Sequence, residues 1–285
     1  MDITRRNFFR IAGVTGLTMT VGKLTDATPS SHETTEFKGM LYDATRCIGC
    51  GICLKACAKS NRLPYKEEEI KAGVRLNTDE NKRAVVNAFN TSKGEVYLRS
   101  QCMHCNQPAC VAACLTRAMQ KSKLGPVTWN GDRCMGCRYC MTSCPFDVPK
   151  FEYFSSNPVI QKCDMCFDRV RQGKIPACAE SCGDALMFGS RRELIAEARK
   201  RISESPADYV DEIYGEHIAG GTAILYLSPV PFEELGVKTS LQNSSYPALS
   251  KGFLYAVPSV FVLLPTLLLG IHKATQINAK SNEEQ

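Results

Sequence analysis

The sequence lacks the arrangements of residues that most enzymes need. Its 285 residues contain no Ser/His/Asp set, no glycine loop that would cradle a phosphate and no carboxylates paired for acid–base chemistry. Positive charge is modest, with a formal net charge of +6, and the basic residues are spread along the chain without interleaved aromatic residues. Such a distribution is typical of a solvated surface rather than a nucleic-acid groove. We therefore expect the chain to bind neither an organic substrate nor nucleic acid.

Cysteine, by contrast, is abundant, and all 16 cysteines fall into four groups of four. The first and third groups share the spacing C-x2-C-x2-C-x3-C, the second has C-x2-C-x4-C-x3-C and the fourth has C-x2-C-x11-C-x3-C. In order, the groups are Cys47, Cys50, Cys53, Cys57; Cys102, Cys105, Cys110, Cys114; Cys134, Cys137, Cys140, Cys144; and Cys163, Cys166, Cys178, Cys182. The second and fourth groups also share the phrase Pro-Ala-Cys before their last cysteine, which indicates duplication of a pair of groups.

These spacings are typical of iron–sulfur ligands. A cubane cluster takes four thiolates, and cysteines at every third residue of a tight loop reach three of its iron corners. The fourth cysteine is predicted to open a helix, point away and bind the neighbouring cluster. Gly49 and Gly136 lie within such loops, where a residue without a side chain lets the backbone approach the cluster closely. The sequence therefore predicts four [4Fe–4S] clusters with all 16 cysteines as ligands.

Two other uses of cysteine are weighed against this one. Structural zinc sites need C-x2-C pairs separated by a longer loop rather than three cysteines within seven residues. Disulfides in an exported binding protein would not require every cysteine to fall into groups of four. Visible colour and metal analysis distinguish these alternatives from an iron–sulfur protein.

The two ends of the chain indicate export and a membrane anchor. Arg5 and Arg6 precede a short, weakly apolar run and resemble a twin-arginine export signal, with Ala27 as a weak candidate cleavage site. Gly252 to Ile271 is uncharged and just long enough to cross a bilayer as a helix. We therefore expect a body on the periplasmic side of the inner membrane and one C-terminal transmembrane helix with a cytoplasmic tail.

The cysteine groups resemble those of the four-cluster ferredoxin subunits of bacterial respiratory oxidoreductases, the DMSO reductase and formate dehydrogenase beta-subunit family. The resemblance runs from about Leu41 to Gly189 and continues through "RRELIAEARKRI" and "YGEHIAGGTAILYLSPVPFEELG". With a signal and an anchor in one chain, the sequence is most similar to the ferredoxin-type subunit of Hyb-type membrane-bound nickel–iron hydrogenases. The resemblance implies an α+β fold of duplicated bacterial-ferredoxin-like domains with long loops, plus the C-terminal transmembrane helix.

The resemblance also implies which cysteines share a cluster: the first group pairs with the fourth, and the second with the third. The four resulting sets are set I (Cys47, Cys50, Cys53, Cys182), set II (Cys57, Cys163, Cys166, Cys178), set III (Cys102, Cys105, Cys110, Cys144) and set IV (Cys114, Cys134, Cys137, Cys140). Proline usually follows the fourth cysteine of each group, but only Cys144 keeps it, so we expect shifted reduction potentials rather than lost clusters.

The expected function is electron transfer without catalysis. The implied partners are a periplasmic catalytic subunit (a hydrogenase or a molybdopterin enzyme) or a multihaem cytochrome c, and a polytopic quinone-reactive membrane subunit. An uptake hydrogenase complex is the first choice, followed by a molybdenum or tungsten oxidoreductase and a multihaem cytochrome–quinone complex. The catalytic partner and the direction of electron flow stay open.

The expected organisation has five parts. These are a signal and linker over residues 1–36, a four-cluster domain over 37–192, a helix and strand extension over 193–250, the anchor over 251–272 and a tail over 273–285. Within the domain, residues 58–100 form a charged insert, either a surface loop or part of a docking face. His104 is interpreted as a packed loop histidine and Trp129 as a shield over a cluster. For Arg133, Arg138 and Lys162, a role in raising potentials and a solvated surface are equally supported.

Overall fold

The computed structural model describes residues 36–283 and shows mixed helix and strand. The twin-arginine motif and Ala27 lie outside the described residues. The strands are β1 (Lys38–Asp43), β2 (Ala84–Thr91), β3 (Gly94–Gln101), β4 (Met119–Lys121), β5 (Val127–Trp129), β6 (Lys150–Phe151), β7 (Ile160–Gln161), β8 (Leu186–Ser190) and β9 (Ile224–Leu227). The helices are α1 (Ile52–Ser60), α2 (Ala109–Ala112), α3 (Tyr139–Thr142), α4 (Phe167–Arg171), α5 (Ala177–Ser181), α6 (Arg191–Glu204) and α7 (Tyr246–Glu283). Three 3₁₀ turns, at Gly131–Arg133, Ile218–Gly220 and Phe232–Leu235, complete the described elements.

A three-stranded sheet with the order β8–β1–β9 organises the described part of the chain. β1 runs antiparallel to β8, with Met40 opposite Phe188, and parallel to β9, with Met40 opposite Ile224. Side chains alternate between the faces of the sheet. Met40 and Tyr42 face the larger apolar core, which includes cysteines, while Leu41 faces the opposite side. The predicted 193–250 extension thus contributes β9 to the same sheet as β1.

Helix α6 covers the face of the sheet on which Leu41 lies. Its start is a capping box, in which Ser190 and Glu193 exchange side-chain and backbone hydrogen bonds and satisfy donors that the helix leaves free. Leu194, Ala198 and Ile202 follow at helical spacing and pack with Leu41 as one buried cluster. The helix therefore leaves the other face of the sheet to the cysteine groups.

The charged insert contains a buried hairpin in its second half. β2 and β3 pair antiparallel from Ala84 opposite Gln101 to Thr91 opposite Gly94. Val86, Val96 and Leu98 of this hairpin belong to the same core as Met40. The alternative of a plain surface loop is therefore wrong for residues 84–100, because this half of the insert buries apolar side chains on the core. A docking face stays a prediction.

The cysteines of each group sit around short helices. α1 carries Cys53 and Cys57, α2 carries Cys110, α3 carries Cys140 and α5 carries Cys178. In each group the third cysteine lies in the first turn, and Cys114, Cys144 and Cys182 come just after their helices end. The prediction that the fourth cysteine opens a helix is therefore wrong. The helix starts about one turn earlier and ends at or near that cysteine.

Helix α7 is apolar and stands apart from the core. Its segment Tyr246–Lys273 is long and apolar enough to cross a membrane, and its most apolar stretch has a mean hydropathy of 2.1 and no buried residue. Pro258 and Pro265 lie inside the helix. The start of α7 contacts α2, and the Ser245 hydroxyl just before it donates to Oε1 of Gln107 at 2.6 Å. The base of this helix is thus attached beside the second cysteine group.

Candidate iron–sulfur sites

All sixteen cysteines lie in the described part of the chain, and all are free thiols. Most are buried or half-buried, and only Cys50 and Cys137 are exposed. A buried thiol is costly to ionise, and a thiol gives up its proton readily when it binds iron. The charge on each thiol therefore acts on the pKa of its neighbours.

The cysteines of set I come together where α1 packs against α5. Burial raises the pKa of Cys53 to about 11, and the charges of Cys178, Cys182 and Cys47 add to the rise. Burial also raises the pKa of Cys182, to which Cys47 and Cys50 contribute. The last cysteine of the fourth group thus lies among the first three cysteines of the first group.

Set II lies next to set I. Burial raises the pKa of Cys57 to about 12, with Cys178 and Cys166 contributing, and it raises the pKa of Cys163 with Cys57 contributing. The structure therefore brings the last cysteine of the first group to the first three of the fourth. Since Cys178 acts on Cys53 as well, the two sets are neighbours.

Set III has the corresponding arrangement in the other half of the groups. Burial raises the pKa of Cys105, and Cys102, Cys144 and Cys110 add to it. Burial raises the pKa of Cys110 to about 12, with Cys102, Cys144 and Cys140 contributing. Cys144 is the last cysteine of the third group, so it lies among the first three cysteines of the second group. Cys102 also packs with Cys163 of set II around Val148.

Set IV surrounds a cavity. Its four cysteines line one small pocket, together with Trp129, Met119 and Ile160. Burial raises the pKa of Cys140 to about 11, and Cys134, Cys114 and Cys137 add to the rise. Cys110 of set III packs in the same apolar cluster as Cys140. Contacts thus join set I to set II, set II to set III, and set III to set IV.

Backbone amides point at several sulfur atoms. The N–H of Met119 donates to Sγ of Cys114 at 3.3 Å, and the N–H of Met165 donates to Sγ of Cys163 at 3.3 Å. For Cys114, burial acts to raise the pKa, but hydrogen bonds from Met119 and Thr116 outweigh it and lower the pKa. Such donors stabilise thiolates and help to set the potential of a bound cluster.

Several polar side chains next to the sets have buried atoms without a protein partner. Nε and Nη2 of Arg99 form no hydrogen bond, and neither does Nε1 of Trp129, which lines the cavity of set IV. Buried donors without acceptors are costly, so these atoms fit sites that receive an anionic, sulfur-rich group. The residues present thus fit iron–sulfur clusters, and the interpretation of Trp129 as a neighbour of such a site agrees with its place.

The sets do not converge as ligands of a single ion would. Within residues 36–283, no three His, Cys, Asp or Glu side chains are grouped closely enough to hold one metal ion. A cubane does not need that convergence, because each thiolate binds a different iron corner.

His104 and Lys162 are both buried beside the second cysteine group. Nδ1 of His104 accepts from the N–H of Val127 at 2.9 Å, so the prediction of a packed, hydrogen-bonded histidine is confirmed. Lys162 is 4% exposed and its ammonium group donates to the carbonyls of Val127 and Cys163. The alternative of a solvated surface is therefore wrong for Lys162, which places a buried positive charge near Cys110.

Sequence reasoning missed Arg99 altogether. It lies on β3, three residues before Cys102, and its side chain is fully buried. The available signal was an arginine within a run of strand-forming residues that leads directly into a cysteine group.

Gly49, in the first loop, has a backbone conformation and a close neighbour that disfavour any other residue. Its φ is +69°, and a Cβ there would lie 2.3 Å from the ring of Tyr97. Gly136, at the same place in the third group, also has a positive φ of +71°. Both loops therefore favour glycine because of their backbone conformation, and at Gly49 also because of the Tyr97 ring. The close approach of these glycines to a cluster stays a prediction.

Comparison with known proteins defines the class. A family model described as a 4Fe-4S dicluster domain matches residues 94–191. The chain is 33% identical over 325 residues to the hydrogenase-2 operon protein HybA of Escherichia coli O157:H7, covering 98% of this chain and 97% of that protein. It is 30% identical to the formate dehydrogenase-O iron-sulfur subunit of Escherichia coli K12, covering 70% of this chain and 69% of that protein.

The chain belongs to the family of ferredoxin-type iron–sulfur subunits of respiratory oxidoreductases. It is also 41% identical to a protein of Nitratidesulfovibrio vulgaris Hildenborough, covering 99% of this chain and 79% of that protein. The predicted family and the predicted function, an electron-transfer subunit of a hydrogenase or related oxidoreductase, are therefore confirmed. So are the ferredoxin-type fold and iron–sulfur clusters as cofactors.

Proposed function

We propose that the chain carries four [4Fe–4S] clusters, one on each of sets I to IV. The observation that carries this proposal is the interleaving of the groups: each set joins three cysteines of one group to the last cysteine of another. Set IV is the clearest example, because Cys114 and the three cysteines of the third group line one cavity. Clusters bound to these thiolates supply one-electron transfer. The duplicated ferredoxin-like halves correspond to sets I and II and to sets III and IV.

Iron and sulfide analysis tests the number of clusters. An anaerobically purified chain should contain about sixteen irons and as many acid-labile sulfides, four of each per cubane. Half of that content in a fully folded preparation would contradict the proposal of four clusters.

The contacts between successive sets support a relay with two ends. Set I contains the exposed Cys50 and set IV the exposed Cys137, and both are next to exposed apolar residues. Ile48 beside Cys50 is 78% exposed, and Met135 beside Cys137 is 64% exposed. Exposed apolar residues of this size favour contact with a partner. We propose that electrons enter at one end and leave at the other, while the buried sets II and III exclude water between them.

Helix α7 supports an orientation for the relay. Its base contacts α2, which carries Cys110 of set III. If residues 251–272 anchor the chain in the membrane, as we propose, the half with sets III and IV faces the quinone-reactive membrane subunit. Set I then faces the periplasmic catalytic subunit. A distance measured by pulsed electron paramagnetic resonance, from a lipid spin label to each reduced cluster, tests this order; a shorter distance to set I than to set IV would reverse it.

A hydrogenase complex is the catalytic partner that we propose first. The match to a protein of the hydrogenase-2 operon covers nearly the whole of both chains, whereas the match to a formate dehydrogenase iron-sulfur subunit covers 70% of this chain. The second candidate is therefore a molybdenum or tungsten oxidoreductase, and the third is a multihaem cytochrome–quinone complex. Purification of the tagged chain under mild detergent, followed by hydrogen-dependent reduction of its clusters, tests the first choice.

We also propose export to the periplasmic side by the twin-arginine route, on the basis of Arg5 and Arg6. Replacing both with lysine should leave the chain in the cytoplasm. Unchanged export of that variant, measured by cell fractionation, would show that Arg5 and Arg6 are not the export signal.

A further inference from the structure

We propose that Arg99 raises the reduction potentials of the clusters on sets I and II by holding a buried positive charge and two free N–H donors between them. This inference rests on the proposed function, because it requires clusters on these two sets. Nothing in the sequence spacing or in the family resemblance points to this residue.

The surroundings of Arg99 are unusual for an arginine. It is 0% exposed on β3, opposite Val86, and its Nη1 donates to Oε1 of Gln101. Nε and Nη2 have no hydrogen-bond partner. Arg99 takes part in none of the ion pairs formed among residues 36–283. A buried positive charge without an ion-pair partner destabilises a fold unless an anion compensates it.

The available anions are the thiolates of sets I and II. Burial acts to lower the pKa of Arg99, but the charges of Cys178, Cys53 and Cys57, with Cys163, outweigh it and raise the pKa. The influence is mutual. Burial raises the pKa of Cys53 and of Cys57, and in both cases Arg99 is the largest opposing influence. The packing agrees with this: Val86, opposite Arg99 on β2, belongs to the same core cluster as Cys53 of set I and Cys178 of set II. Arg99 therefore lies beside cysteines of both sets.

This position gives Arg99 a defined effect on electron transfer. A cluster gains one negative charge when it accepts an electron from a neighbouring cluster or partner, and a fixed positive charge nearby favours that reduced form. An arginine stays protonated, so no proton moves at Arg99 during the transfer. Its free N–H groups can donate to sulfur, which favours the reduced form further. Since the same positive charge lies near sets I and II, Arg99 should act on the reduction potentials of both clusters.

The test compares three variants of the full-length chain by redox-poised electron paramagnetic resonance. Arg99→Gln should lower the ratio of reduced to oxidised cluster on sets I and II at least tenfold at a fixed applied potential, about 59 mV for one electron. Sets III and IV should be unchanged. Arg99→Lys keeps the charge and should recover most of the loss.

Arg83→Gln is the matched control. Arg83 also acts on Cys57, but it is already paired with Asp164 at 2.8 Å and bonded to Asn61 and Gln161. Because Asp164 compensates its charge, we expect a smaller shift, and only at set II. An equal or larger shift than in Arg99→Gln would overturn the proposal, as would wild-type potentials in Arg99→Gln or equal shifts at all four sets.

If the Arg99→Gln variant fails to assemble its clusters, a second measurement tests the proposed role of Arg99. Electron–nuclear double resonance in D₂O detects exchangeable protons near each reduced cluster, and Arg99→Lys should alter those couplings at sets I and II alone. Couplings identical to those of the wild-type chain would overturn the proposal. Iron analysis separates this failure from failure of the proposed function: a full iron content with unmoved potentials rejects only the role of Arg99.

Discussion

Cys53 and Cys57 lie about one turn apart on helix α1, and both are buried. Cys178 acts on both, but their other cysteine neighbours differ. Cys182 and Cys47 act on Cys53, whereas Cys166 acts on Cys57. One turn of helix α1 therefore separates a cysteine of set I from a cysteine of set II. Substitution of Cys57 can thus test the interleaved assignment of cysteines to clusters.

The substitution Cys57→Ser should disturb the cluster on set II and leave the ligands of set I complete. Serine is a harder and poorer ligand for iron than a thiolate, so the affected cluster should lose an iron or shift its potential. Redox-poised electron paramagnetic resonance should give a Cys57→Ser spectrum like that of Cys178→Ser and unlike that of Cys50→Ser. A match between Cys57→Ser and Cys50→Ser would mean that each sequence group holds its own cluster.

Gly49→Ala tests the first loop at the level of the backbone. The residue has a positive φ, and the added Cβ would meet the Tyr97 ring at 2.3 Å, so backbone strain and a steric clash combine. We expect a cost of about 1–3 kcal/mol and a lower iron content at set I. Loss of visible absorbance on heating and iron analysis measure the two effects.

Gly73→Ala is the control for that substitution. Gly73 also has a positive φ, +87°, but nothing lies within 4 Å of the added Cβ. Its variant should therefore show the backbone cost alone and keep its full iron content. Equal losses in both variants would mean that the Tyr97 contact is unimportant.

At the scale of elements, a buried ion pair ties helix α6 to strand β1. Nη1 of Arg201 donates to Oδ2 of Asp43 at 2.8 Å, and the Tyr209 hydroxyl donates to the same oxygen at 2.9 Å. Asp43 is 1% exposed and Arg201 is 8% exposed. Removing Arg201 leaves the Asp43 carboxylate buried, with only the half-exposed Arg46 at 3.5 Å to compensate its charge, which costs more than the pair stabilises.

Arg201→Met should therefore destabilise the fold by about 3–5 kcal/mol. Each kcal/mol lowers Tm by about 2–4 °C in a domain of this size, so a scan of circular dichroism against temperature should resolve the change. Arg199→Ala is the control, because Arg199 lies on the same helix but pairs with Glu216 at the surface, where its side chain is 65% exposed. Its cost should stay below about 1 kcal/mol; a cost as large as that of Arg201→Met would contradict this account.

The elements also show what the sequence can and cannot reveal. Cysteine spacing is local information, so the groups and the iron–sulfur chemistry follow from it. The hairpin of β2 and β3 is predictable, because strand-forming runs flank the turn at Ser92–Lys93–Gly94. The charged residues before it, however, indicate a surface segment. The burial of Lys162 could not be predicted from the sequence, since it depends on contacts between distant segments. For Arg99 the only sequence signal is the strand-forming run that contains it.

The order of the strands in the sheet also depends on contacts between segments that are distant in the sequence. The pairing of Met40 with Ile224 joins segments far apart in the chain, and no pattern in either segment names its partner. Which cysteines share a set also depends on such contacts, and for this reason spacing alone left the pairing open.

At the scale of the whole molecule, the anchor and the cluster-bearing body should be separable. The described helix α7 begins at Tyr246, and Ser245 is buried against the body with its hydroxyl on Gln107. A chain ending at Ser250 keeps that contact and loses the apolar segment. It should be soluble without detergent and keep its brown colour and full iron content.

Phase partitioning and iron analysis of the truncated chain measure both properties. The control is a chain ending at Gly236, which also removes the segment from Val237 to Ser244 that hydrogen-bonds Ala219 and Gly220. That shorter chain should lose iron from set III, which lies nearest. Solubility of the intact chain without detergent would contradict a membrane-spanning helix.

The central place of β1 has a consequence for biosynthesis. β1 leaves the ribosome early, but its two neighbours, β8 and β9, end at Ser190 and Leu227. At translation rates of about 5–20 residues per second, both edges of the strand stay unpaired for roughly 7–30 s, until Ser190 is made. One edge stays unpaired for roughly 10–40 s, until Leu227 is made. An apolar strand in that state is prone to pair with other chains. Whatever protects the nascent chain from aggregation therefore has to cover Lys38–Asp43 until Leu227 has emerged.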